Sequence, residues 1–281
     1  MFRCGKPFYI DVGNIKLNVY DSAEKCSYRE KLALIFLHGL PGQISNWKHQ
    51  VEYFERKYRV IVYDQRGFGA SDKPKKVSLN DYLQDLDKII ESRKLNTEDT
   101  ILIGHSFGGM VAQAYTRTHK VKGLVLIGSL TKIKPDIFDK ITWYLPPIFW
   151  RKILYKETPL TRRLYRRIFF SPSTPKEVFE EFIKDNKEYL ERLPAYVFRY
   201  TRFFIDYDAT KWLHEIKVPT LIIVGKDDKV TPVDESKLLN KLIPNSRLII
   251  IEDAGHLVLY EKPSELNGII EEFIRELKYS M

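Results

Sequence analysis

Six short apolar runs constrain this chain more than any other feature: "LALIFL" (32–37), "RVIVYD" (59–64), "TILIG" (100–104), "VKGLVLIG" (121–128), "TLIIVG" (220–225) and "RLIIIED" (247–253). Each is bounded by turn residues and lacks polar alternation, the mark of a strand buried on both faces in a parallel sheet. Between the runs lie helical patterns at 44–56, 79–94, 107–118, 233–242 and 263–277. Strand and helix in this alternation predict an α/β fold, a doubly wound and mostly parallel sheet of about eight strands with helices on both faces. Two earlier segments, "FYIDV" and "IKLNVYD", alternate apolar and polar residues around Gly13-Asn14 and predict an antiparallel hairpin at the start.

The alternation stops between 131 and 212. No strand pattern appears there, only helical segments dense in Trp, Tyr and Phe, with 17 basic against 11 acidic residues over 132–211. That stretch is too aromatic for a linker. It reads as a helical insertion, a cap, into a core made of 1–130 and 213–281.

Composition narrows the function classes. With 44% apolar and 30% charged residues the chain has the makings of a folded interior and not of a disordered segment. The net charge of +9 comes from basic residues interleaved with acidic ones, and no nucleic-acid motif accompanies it, so no nucleic-acid partner is expected. No apolar run approaches membrane-spanning length and the first residues lack a signal-peptide core, so a cytoplasmic protein without a membrane partner is expected. Cys4 and Cys26 have neither C-x-x-C spacing nor a histidine pair nearby, and are expected to be reduced thiols with no metal site. Abundant Lys, Glu, Ile and Tyr with few Gln suggest a heat-adapted, thermostable protein.

"ILIGHSFGGM" (101–110) places Ser106 between Gly104 and Gly108, directly after a buried strand and before a helix. A serine on so sharp a turn needs flanking glycines for clearance, and its hydroxyl then stands above the sheet beside free helix N-terminal amides. A hydroxyl is a poor nucleophile until a base takes its proton and an acid orients that base. His256, in "EDAGHLVLY", follows the last strand pattern and is the candidate base, since a loop at the carboxyl edge of the sheet can lean toward Ser106. His105 is expected to pack, and His49, His119 and His214 to be surface or packing residues. "GKDDKVTP" offers Asp227 and Asp228 at the same edge.

In the order "GHSFGG", "GKDDKVTP", "AGH", these motifs resemble the α/β-hydrolase-fold family, in its serine-nucleophile branch with a helical cap. The resemblance implies Asp228 over Asp227, since the family spacing maps onto Gly225, Asp228 and Pro232. It implies that "LHGLPG" (37–42) supplies an oxyanion loop, with the backbone N–H groups of Leu40 and Phe107 as donors and His38 as its support. "DQRGFGAS" (64–71) matches a family stretch read as a loop held by pairing of Asp64 with Arg66. Ser106 excludes relatives with an aspartate nucleophile. Acyl transfer to water through Ser106, Asp228 and His256 is therefore expected, without metal or cofactor, on a small-molecule ester with an apolar or aromatic acyl group.

Cap aromatics such as Trp143, Phe149, Tyr200 and Phe203 are candidates to line the acyl pocket, although helical spacing equally buries such residues against the core. Arg162, Arg163, Arg166 and Arg167 either draw an anionic substrate or form a solvated helix face. Alternatives on the same scaffold are a lactonase or a C–C hydrolase of ring-fission diketones, mildly disfavoured by His105 and "HGLPG"; an iminopeptidase, whose usual two glycines before the serine are missing; and a non-catalytic binding module. Either a monomer or a homodimer is compatible with the sequence.

Overall fold

The computed structural model describes residues 2–29, 31–133 and 157–279. One eight-stranded sheet runs in the order β1-β2-β4-β3-β5-β6-β7-β8. Its strands are β1 (Phe8–Asp11), β2 (Lys16–Asp21), β3 (Ala33–Leu37), β4 (Arg59–Tyr63), β5 (Thr100–His105), β6 (Gly123–Ile127), β7 (Thr220–Gly225) and β8 (Ser246–Ile251). β1 and β2 form the antiparallel hairpin, β2 also pairs antiparallel with β4, and every other neighbour is parallel.

Period-two geometry sends alternate residues of a buried strand to opposite layers. Leu34, Phe36, Ile101, Ile103, Val125 and Leu221 join the layer of α1 (Lys48–Phe54) and α8 (Pro263–Tyr279), with Val51, Phe54, Ile270 and Ile274. Ile35, Leu37, Leu102, Leu124 and Leu126 join the layer of α2 (Leu79–Ser92) and α3 (Phe107–Thr118), with Leu86, Ile89, Met110 and Val111. Strands without a polar face are thus covered on both sides, as the uninterrupted apolar runs require.

From β3 the chain moves to β4 on one side and then to β5 on the other. Such a reversal opens a crevice at the carboxyl ends of the strands. Between β6 and β7 the described residues form α4 (Pro159–Phe169), α5 (Lys176–Arg192) and a 3-10 segment, Ala195–Phe204. α6 (Val233–Leu242) packs near β7 and β8, and a short α7 (Val258–Glu261) precedes α8.

Four expectations need correction. Cys4 and Cys26 are joined in a disulfide, not reduced: the end of β2 and the turn after it bring Cys26 beside the chain entering β1, a contact made by tertiary folding and invisible in a 22-residue spacing. β8 is an edge strand and only half buried, with Ile250 exposed, because among the described residues no strand pairs with its outer side. The 44–56 helical pattern opens as a 3-10 turn, Ile44–Trp47, in which the Asn46 side chain accepts from the Gln43 amide at 2.9 Å. Asp64 and Arg66 do not pair with each other. Asp64 accepts from the Ile44 amide (2.6 Å), the Ala70 amide (2.8 Å) and the Asn18 side chain (2.7 Å), while Arg66 forks onto Asp85 at 2.6 and 2.7 Å.

A cross-link closing a loop of this length is worth about 3 kcal/mol through the entropy it removes from the unfolded chain. Denaturant unfolding of the protein should therefore lose about that much in reductant, and Cys4→Ser should lose as much without further response to reductant. Identical curves with and without reductant would mean that the bond adds no stability.

Candidate active site

Ser106 occupies the residue between β5 and α3 with φ 53° and ψ −118°, a left-side conformation that a non-glycine residue holds only under constraint. The constraint is steric. A Cβ on Gly108 would lie 2.2 Å from the Leu37 carbonyl oxygen, and one on Gly104 would lie 2.5 Å from the Gly108 oxygen. Both glycines are there because backbone meets backbone: the start of α3 presses on the exit of β3. The Ser106 amide donates to Ile127 O at 2.8 Å, tying the turn to β6.

His256 and Asp228 arrive from adjoining loops. After β7 the Lys226 amide donates to Ile251 O (2.8 Å) and the Asp227 amide to Ala254 O (2.9 Å), so the loops after β7 and β8 are laced together. His256 Nδ1 lies 2.8 Å from Asp228 Oδ2, and both residues are buried. The Asp228 carboxylate also accepts from the Val230 and Thr231 amides at 2.8 Å each and from the Thr231 hydroxyl at 2.7 Å. Burial pushes this carboxyl up, but the facing His256 ring and the Thr231 donors outweigh it and hold it below the usual carboxylate range. Asp227 points elsewhere, accepting from Ser171 Oγ at 2.5 Å. Ser106 Oγ makes no hydrogen bond to His256.

The loop after β3 lies against the serine: a Cβ on Gly39 would sit 3.1 Å from Ser106 Cβ. The amide of Leu40 in that loop and the amide of Phe107 after the serine donate no hydrogen bond to any described group. Amides left without an acceptor are the kind of donor that a developing oxyanion requires. His38 Nε2 accepts from the Gln65 amide at 2.9 Å, which leaves its proton on Nδ1 to donate to Gly39 O at 2.8 Å. Burial holds the His38 ring neutral, at about 4. His105 donates through Nε2 to the His256 carbonyl oxygen at 2.9 Å, and its ring is pushed down to about 3 by burial and then by the neighbouring His256.

Beside this group opens an apolar cavity whose wall includes Leu40, Trp47, Tyr165, Phe169, Phe182 and Leu257 together with His256. Of the expected substrate contacts, Trp143 and Phe149 lie outside the described residues, as does the side chain of Phe203. Tyr200 is not in that wall. It is buried edge-on against Phe68 at 5.7 Å, over Gly67, and donates its hydroxyl to Pro74 O, so it packs the loop after β4. Arg162 pairs with Glu157 at 2.7 Å and with Glu180, and Arg166 donates to Thr174 O at 2.7 Å. Sequence reading missed Thr231 and the tether from His105, and it offered the cap aromatics as a class without singling out Tyr165, Phe169 and Phe182 for the wall. None of them carries a local motif; only the approach of separate segments selects them. Among the described residues no cluster of His, Cys, Asp and Glu is arranged to hold a metal, and no helix is long and apolar enough to cross a membrane.

Residues 33–263 match the family model described as the alpha/beta hydrolase fold. The chain belongs to the alpha/beta hydrolase fold family. Within it, this hydrolase is 30% identical over 271 residues to a proline iminopeptidase of Saccharolobus solfataricus, covering 88% of this chain and 86% of that protein. It is 26% identical to epoxide hydrolase 4 of Mus musculus, over 88% of this chain and 74% of the relative. A thermophilic esterase from Thermogutta terrifontis superposes with a TM-score of 0.79 at 25% identity, covering 97% and 99% of the two chains.

The neutral histidines set a pH response. A ring whose folded value lies below its ordinary 6.5 leaves the unfolded chain to bind the proton first, so its contribution is intact above pH 6.5 and shrinks as pH falls toward about 4 for His38 and about 3 for His105. Asp64, Asp85 and Glu261, pushed up by burial, act with the opposite sign, so the readout is a difference between variants. Replacing His105 by Gln should flatten the fall in unfolding free energy between pH 6.5 and 4.5 by about 2 kcal/mol. Parallel slopes for the two proteins would show that the ring takes up its proton within the fold.

Proposed function

We propose that this hydrolase cleaves carboxylic esters through an acyl-enzyme on Ser106, with His256 as general base and then acid, and with Asp228 holding the His256 tautomer. Ser106 Oγ attacks the ester carbonyl carbon while His256 Nε2 takes its proton. The oxyanion is received by the Leu40 and Phe107 amides, and His256 returns the proton to the departing alcohol. Water then repeats the sequence on the acyl-enzyme. Residues 131–212 act as the cap over a core of 1–130 and 213–281, and the cavity walled by Leu40, Trp47, Phe169 and Phe182 takes the apolar or aromatic part of the substrate.

What supports the reading is a strained Ser106 whose following amide, on Phe107, has no acceptor, the close approach of the Gly39–Leu40 loop with its own unpartnered Leu40 amide, and the buried 2.8 Å His256–Asp228 contact. Epoxide opening of the kind named for one relative needs a carboxylate nucleophile, and Ser106 stands in its place. Proline iminopeptidase activity, named for another relative, uses the same acyl chemistry but must recognise a substrate amine. No Asp or Glu lines the cavity among the described residues, which favours an uncharged ester.

A panel of short, long and aromatic acyl esters, a lactone, a ring-fission diketone and a prolyl arylamide decides among these. Aryl ester turnover is expected to dominate. Ser106→Ala should lower kcat by more than about 10⁴-fold and Asp228→Asn by about 10⁴-fold. An active-site phosphonate should label the wild type and not the alanine variant. Ester turnover that survives Ser106→Ala would end the proposal, and turnover confined to the arylamide would replace it with the peptidase reading.

A further inference from the structure

Glu261, five residues after His256, has no part in the chemistry above, yet it is buried and its carboxylate bonds reach both its own loop and a distant turn. One oxygen accepts from the Ser171 amide at 2.7 Å and from the Thr174 hydroxyl at 2.5 Å, and the other accepts from the Gly255 amide at 2.8 Å. Ser171 and Thr174 belong to the turn between α4 and α5, and both are buried; Gly255 is the residue before His256. The two stretches touch without clearance. A Cβ on Gly255 would lie 2.7 Å from the Phe170 carbonyl carbon and 2.8 Å from the Ser171 amide nitrogen. The Leu257 amide donates to Phe169 O at 3.1 Å, so the residues on either side of His256 are both pinned to this turn. Ser171 Oγ in turn donates to Asp227, the neighbour of Asp228.

The geometry points to Glu261 as a positioning residue that clamps the His256 loop onto the α4–α5 turn, so that the general base and the cavity wall formed by Tyr165 and Phe169 are held as one unit. The assignment rests on the ester-hydrolase reading for the role of His256. Its physical basis is that one anion satisfies three donors from two segments. Removing the charge leaves a buried amide without an acceptor and frees the base loop to shift, and a displacement of about 1 Å at a reacting group can cost about 10²-fold in rate.

The test is Glu261→Gln in the full-length protein. Glutamine turns one acceptor oxygen into an NH₂ facing donors. Its kcat on an aryl ester should fall about 10- to 100-fold with KM within about threefold, and the rate of phosphonate labelling of Ser106 should fall by the same factor. Thr174→Val removes one donor but leaves the Gly255 bond, and should keep kcat within about threefold of wild type; a loss equal to that of Glu261→Gln would mark the clamp as general packing and overturn the assignment. If the Gln variant does not fold, Glu261→Asp, which keeps the charge but is too short to span Gly255 and Ser171, is expected to show the same kcat loss. Wild-type kcat and labelling rate in whichever Glu261 variant folds overturn the assignment while the ester reading stands. Absence of labelling in the wild type, with turnover that survives Ser106→Ala, removes both.

Discussion

Everything at the carboxyl edge of this sheet depends on the contact between the first turn of α3 and the end of β3. With Gly108 against the Leu37 carbonyl and Gly104 against Gly108, no side chain fits between the two backbones. The turn closes so tightly that Ser106 is carried into a positive φ. The strain is offset by the sheet on either side, where β3, β5 and β6 are wholly buried and the Ser106 amide is spent on Ile127. The helix N-terminus then faces the crevice with its first amide unspent, and the loop after β3 brings a second.

Around that turn the protein buries several charged and ring groups that find partners, while Trp47 Nε1 and Gln65 Oε1 have none among the described residues. Asp228 fills its lone pairs with four donors, His38 and His105 are kept neutral by burial, His38 spending both ring nitrogens and His105 its Nε2 on backbone groups, and Glu261 takes three donors. A half-satisfied network at such depth would cost more than an apolar one. These bonds hold the loop of His256, tied by His105 on one side and by the α4–α5 turn on the other.

Much of the architecture was legible in the chain itself, and for stated reasons. Apolar runs without alternation can only be strands covered on both faces, so β3 to β7 were readable, and the alternating pattern around Gly13 made the hairpin readable too. Helix limits at 107–118 and 233–242 agree with the turn residues that bound them. "RLIIIED" misleads because three isoleucines look the same in an edge strand and a central one; pairing partners, not composition, decide burial. Cys4 and Cys26 mislead for a related reason. Their spacing carries no local signature, and only the path of the chain after β2 brings them together.

At the site the division is sharper. Local sequence determined that Ser106 sits on a glycine-flanked turn after a buried strand, and that a histidine and an aspartate follow strands ending at the same edge, because steric clearance and strand direction are written in neighbouring residues. The family spacing pointed to Asp228 over Asp227, and the tertiary structure sends Asp227 to Ser171 and Asp228 to His256. It alone assigned His105 to the His256 carbonyl, moved Tyr200 out of the cavity wall and put Phe169 and Phe182 into it. The reason is distance along the chain. Each of those partners is separated by tens of residues, and the hydrogen bonds that select them depend on ångström-scale placement that no spacing rule encodes.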